Sequence, residues 1–169
     1  KTAVLSACSH EGKDLWNYDI GSFKGAHGLN IVPAIHQGSV IIAHLHQRGG
    51  YVASLAGKTG MPEWKRMYPE PSPKTTYMTP LIRRRHVADG PEYEVVVSST
   101  SIGVRGLDFE SGRELWSRPD VFDERCIVNS QAVKDKRSKQ ANVKRHRNCV
   151  CSTEGPLTGF LKRYDTALW

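Results

Sequence analysis

Three groups of residues have types and spacings that could do chemistry. His44 and His46 alternate along the apolar segment Val40-Ile-Ile-Ala43-His44-Leu-His46. In an extended chain both imidazoles therefore leave one face. Two imidazoles on one face are half of a zinc or copper site, and His36 on a facing strand would be the third ligand. The pattern lacks a Cys or carboxylate partner, and a His-x-His strand at a solvent-facing rim serves equally as polar surface. No resident metal is expected, with His44 and His46 the weak candidates. Cys149-Val-Cys151 repeats the geometry with thiols. Cysteines at i and i+2 are poorly placed to bond to each other, so either could pair with Cys126 on the preceding strand. The alternative is that they are buried small hydrophobes. A chain of 169 residues can fold without a disulfide framework, so the redox compartment stays open.

The acids carry less. Asp108, Glu110, Asp120, Asp123 and Glu124 fall in or just after a turn-rich stretch, where carboxylates cap backbone N–H groups or stay solvated. None is marked as a general base, and no catalytic residue is expected. The third group is electrostatic. Lys134, Lys136, Arg137, Lys139, Lys144, Arg145 and Arg147 oppose one acid, Asp135, which gives this segment +6 of the chain's net +7. Such a run could neutralise phosphates with salt-sensitive affinity or lie on an anionic membrane surface. It holds no aromatic for base stacking, and as a hairpin insertion it would simply be solvated.

These groups hang on a repeat. The four tryptophans, Trp16, Trp64, Trp116 and Trp169, are separated by 48, 52 and 53 residues. Gly12, Gly60 and Gly112 each stand four positions before one of them, and Ser6, Ser54 and Gly106 stand ten before. The best copy reads Gly106-Leu-Asp108-Phe-Glu-Ser111-Gly112-Arg-Glu-Leu-Trp116. A strand end enters a Ser-Gly turn where φ > 0 costs glycine nothing, and the tryptophan then resumes burial. The last copy, Arg163-Tyr-Asp165-Thr-Ala-Leu-Trp169, keeps Asp and Trp but lacks the Gly. Self-similarity at about fifty residues marks propellers and solenoids.

The copies resemble the tryptophan-docking motif, Ala-x-Asp-x-x-Thr-Gly-x-x-x-Trp, of the quinoprotein-like (PQQ-type) β-propeller family. That family holds both quinoprotein alcohol dehydrogenases and non-enzymatic, BamB-like scaffolds of outer-membrane assembly. The resemblance implies that each Trp docks between the small residue of its own motif and the Gly of the next. Trp16 would sit on Ser6 and reach Gly60, Trp64 on Ser54 and reach Gly112, and Trp116 on Gly106. It also implies a periplasmic or otherwise extracytoplasmic setting. A dehydrogenase of the family needs PQQ, calcium and two directly adjacent cysteines, and this chain has no Cys-Cys dipeptide.

Segment by segment, each unit reads as a polar loop, an apolar strand (Ile31 to Ile35, Met78 to Ile82, Ile127 to Val133), a β-branched strand (Val40 to Ala43, Val95 to Ser98, Cys149 to Cys151), and a strand entering the motif. Pro33 and Pro80, inside two of the first strands, place these on a sheet edge or at its first residue. No stretch keeps helical periodicity over three turns, no apolar run approaches a membrane span, and Lys1 to Cys8 is too short and weakly apolar for a secretory signal. The chain is expected to be a processed product, a fragment or leaderless.

The expected fold is all-β: a partial β-propeller of about three four-stranded blades plus a leading half-blade, with units 1–16, 17–64, 65–116 and 117–169, and the expected partner is another protein or the remaining blades of the same propeller. Its expected function is a non-enzymatic scaffold that binds another protein or a polymeric ligand through rim loops, without a cofactor. Two alternatives stay open: a fragment of a PQQ-dependent dehydrogenase, and a nucleic-acid-binding accessory protein using residues 134–147.

Overall fold

Val40 to Leu45 and Tyr51 to Leu55 are nearly continuous apolar runs, and such runs form strands only where both faces of a sheet are covered. The computed structural model, which describes residues 2–23, 31–71, 76–85, 89–119, 121–122, 132–133 and 151–152, puts these two runs at the centre of a stack. The first sheet is the antiparallel pair β1 (Thr2–Cys8) and β2 (Asp14–Ser22). The second contains β3 (Ala34–His36), β4 (Ser39–His46), β5 (Gly49–Ala56) and β6 (Pro62–Tyr68), in that order. The third repeats the arrangement with β7 (Leu81–Arg84), β8 (Tyr93–Ser99), β9 (Gly103–Asp108) and β10 (Glu114–Arg118). All pairings within these three sheets are antiparallel, and no helix occurs among the described residues.

The second sheet is the filling. On one face Ile41, Ala43, Leu45 and Val52 pack with Val95, Val97, Leu107 and Phe109 of the third-sheet segment. On the other, Val40, Ile42, Tyr51, Ala53 and Leu55 meet Ile20, with Ala3, Leu5, Trp16 and Tyr18 against them. The period-two alternation of side chains thus sends odd and even residues of β4 to different neighbours. Beyond the third sheet, Val96 and Val104 pack with Leu81, Trp116, Val121 and Phe122.

Among the described residues there are two four-stranded and two two-stranded sheets, and most of the last expected unit, 117–169, lies outside the described residues. In 117–169, the described strands after β10 are β11 (Ala132–Val133) and β12 (Cys151–Ser152), and these pair in parallel. β2, β6 and β10 continue to Ser22, Tyr68 and Arg118, so Trp16, Trp64 and Trp116 each stand inside a strand. Pro33 and Pro80 directly precede the edge strands β3 and β7, and Pro62 opens the edge strand β6, positions where a missing N–H breaks no ladder bond.

Candidate functional site

The tryptophans meet the glycines across the sheet seams. A Cβ on Gly60 would lie 2.5 Å from the Trp16 indole, and one on Gly112 would lie 2.5 Å from that of Trp64. Both glycines have positive φ, +71° and +68°, so two demands fall on one residue type: a left-handed backbone and no side chain. Each indole N–H also donates across the seam, Trp16 to the Gly57 carbonyl and Trp64 to the Phe109 carbonyl, both at 2.8 Å. Gly57 and Phe109 each lie three residues before their glycine, so the turn supplies an apolar seat and a hydrogen-bond acceptor together.

Small residues complete the seats, with one correction. Ser54 stands opposite Trp64 and Gly106 opposite Trp116, and a Cβ on Gly106 would collide with the Trp116 indole. Trp16, however, stands opposite Ala7, and Ser6 opposite Asn17, to which the Ser6 hydroxyl donates at 2.5 Å. Turn length is the cause. In the later hairpins Gly60 N donates to Ala56 O and Gly112 N to Asp108 O, four residues back, whereas Gly12 N donates to Ser9 O, three back. The first turn is one residue tighter, so its ladder slips by one and Ala7 takes the place expected for Ser6.

Trp116 uses a different acceptor. Its N–H donates at 2.6 Å to Glu94, which is 1% exposed. The same carboxylate takes a hydrogen bond from Arg83 Nε and lies 3.9 Å from Arg85 Nε. On the outer strand β10, Glu114 bridges Arg66 of β6 and Arg105 of β9 at 3.0 Å each, tying the second sheet to the third. Neither carboxylate was singled out from sequence, although Glu94 carries a signal: a charge inside Tyr93-Glu-Val-Val-Val. Asp108 caps its own turn by accepting from Glu110 N at 2.9 Å.

The histidines separate. His36 packs on Tyr93 and Phe109, with ring centroids 4.4 and 5.4 Å away, in the seam facing the third sheet. His44 points the other way, beside His46 at 4.6 Å and Tyr51 at 5.2 Å. His36 therefore does not join the pair as a third ligand, and among the described residues no three His, Cys, Asp or Glu gather to hold a metal. His44 is 2% exposed. Its Nε2–H donates to Ser22 O at 3.3 Å, and its Nδ1 is buried with no hydrogen-bond partner. Burial pushes the imidazole down to about 4, with His46 and Lys65 adding repulsion against the hydrogen bond's opposite effect. Burial also lowers His46 and raises the phenols of Tyr51 and Tyr68. Next to this ring, the Tyr51 hydroxyl donates to Ile20 O at 2.8 Å.

Cys8 is an exposed free thiol. Trp169, Cys126, Cys149 and the basic residues Lys134, Lys136, Arg137, Lys139, Lys144, Arg145 and Arg147 lie outside the described residues, as do Asp120, Asp123 and Glu124.

No protein-family model matches the chain, and no curated protein does. Among solved structures the chain is similar to the crystal structure of BamB from Moraxella catarrhalis, with a TM-score of 0.43 and 17% sequence identity. The match covers 69% of this chain and 30% of that one, so it spans less than a third of that protein's length.

Proposed function

We propose that this chain is part of a quinoprotein-like β-propeller that works as a binding scaffold, presenting its hairpin turns to another protein or a polymeric ligand. One observation carries the reading. Successive sheets are joined face to face by tryptophans seated on the next hairpin's glycine, Trp16 on Gly60 and Trp64 on Gly112. That joint leaves the turns at Glu11, Lys58 and Glu110 at one rim, outside the packed seams and free to contact a partner. An extracytoplasmic setting follows from the motif's resemblance and belongs to the same proposal.

The edge of β1 extends it. Among the described residues β1 pairs only with β2, whereas its counterpart β5 pairs on both sides, with β4 and β6. An unpaired edge invites another strand. Further strands of the same polypeptide, or of a neighbouring chain, would fill it and allow a ring of roughly four to eight blades to close.

Photo-crosslinkers placed at Lys58 and Glu110 in the full-length protein test the scaffold. Crosslinks to a second macromolecule from these rim positions, and none from buried Val52, are expected. An absence of rim crosslinks would remove the reading, as would turnover of alcohols or sugars by the chain with quinone and calcium. Mass photometry tests closure. The 169-residue chain alone should self-associate, and a stable monomer with a fully paired β1 edge would refute the completed ring.

A further inference from the structure

The seam between the first and second sheets is held near its end by two side chains that reach backbone carbonyls of β2. The Tyr51 hydroxyl donates to Ile20 O at 2.8 Å and His44 Nε2–H to Ser22 O at 3.3 Å. The second bond fixes the tautomer, because a carbonyl can only accept, and Nδ1 must then hold its lone pair in a buried site with no partner. A neutral ring tolerates that. A protonated one does not: it would bury a new N–H without an acceptor and a charge without a counterion.

The surroundings offer the cation little relief. On β4 it faces His46, and on β5 Tyr51, whose ring carries the Lys65 ammonium of β6 at 3.8 Å. Arg48, in the turn after β4, donates its backbone N–H to His46 Nδ1 at 3.3 Å. On β2 stand Tyr18 and Asp19, and the Asp19 carboxylate accepts from Gly21 N at 2.8 Å. The one ammonium beside it, Lys65, thus repels a cationic imidazole from its own sheet, while β2 supplies it with a carbonyl.

We propose that His44 is an acid-sensitive latch, holding the end of β2 on the second sheet while neutral and releasing the first sheet when protonated. Release would uncover the apolar face of Val40, Ile42, Ala53 and Leu55, which β1 and β2 otherwise cover. The seam to the third sheet lies on the opposite face and would stay closed.

The sign follows from linkage. His44 binds its proton more weakly in the closed seam than in the open one, so acid favours opening from about pH 6.5 down to about pH 4, where the closed form also protonates. At pH 5 that difference favours opening about 30-fold.

Hydrogen exchange read by mass spectrometry on the 169-residue chain, at about pH 7.5 and about pH 5 and corrected for intrinsic rates, tests it. Protection over residues 2–22 should fall about 30-fold while residues 93–108 change by less than about threefold. His44→Gln, which keeps a side-chain N–H but cannot titrate, should flatten the response of 2–22. The latch is overturned if 2–22 changes by less than about threefold in the wild-type chain, if both regions open together, or if the Gln variant responds like the wild type. Should that variant not fold, histidine NMR titration of the wild-type chain decides: a His44 ring titrating near pH 6.5 while 2–22 stays protected refutes the latch.

Discussion

The indole of Trp64 lies against Gly112, 48 residues further along the chain, and donates its N–H to Phe109 O at 2.8 Å. Gly112 answers two separate constraints, its φ of +68° and the ring beside it. Gly12 occupies the same place in the first hairpin with φ +80°, but a Cβ there would meet nothing within 4 Å. The pair separates conformational strain from collision. Gly12→Ala should cost about 1–2 kcal/mol, the strain of a left-handed non-glycine residue. Gly112→Ala should cost more than that, since the indole must also move. Urea melts of the two variants check this, and equal losses would mean that the seat is open.

Trp116→Ala should cost about 2–4 kcal/mol, somewhat below the range for deleting a fully buried large aromatic, because the ring is partly buried. The ring covers Gly106 and packs with Val96 and Val104, so its removal opens the far face of the third sheet. Unchanged urea stability would place this indole on the surface.

Glu94 joins Trp116 to Arg83 and Arg85. Glu94→Ala strands a half-buried guanidinium and an indole N–H together, and the expected loss is about 3–5 kcal/mol. Glu94→Gln keeps an acceptor for Trp116 and should fall between wild type and Ala. A Gln variant weaker than the Ala variant would show that charge, not hydrogen bonding, dominates at this site.

Deleting residues 134–147 should leave the stack of sheets intact and remove most binding to polyanions, because this segment holds +6 of the net charge. Heparin or duplex-DNA binding measured between about 50 and 200 mM salt checks it. Binding that survives the deletion, or that ignores salt, would locate the attraction elsewhere.

The sequence determined the hairpins. Ser-Gly and Thr-Gly turns, with a tryptophan four residues on, are short-range signals, and φ > 0 at Gly60 and Gly112 is the local consequence. It also determined that β4 and β5 are covered on both sides, because two-sided burial leaves no polar alternation to hide. The tertiary structure alone decided what lies across each seam. Ala7 rather than Ser6 stands opposite Trp16 because one turn is a residue shorter, and a register slip of one changes which side chain faces the neighbouring sheet. His36 and His44 read alike in sequence as strand histidines, yet they point to opposite faces of the second sheet. Alternation along a strand fixes which side chains share a face. What covers that face comes from residues far away in the chain, here β2 over His44 and the third sheet over His36, and that coverage makes one ring a buried latch and the other a packing partner for Tyr93 and Phe109.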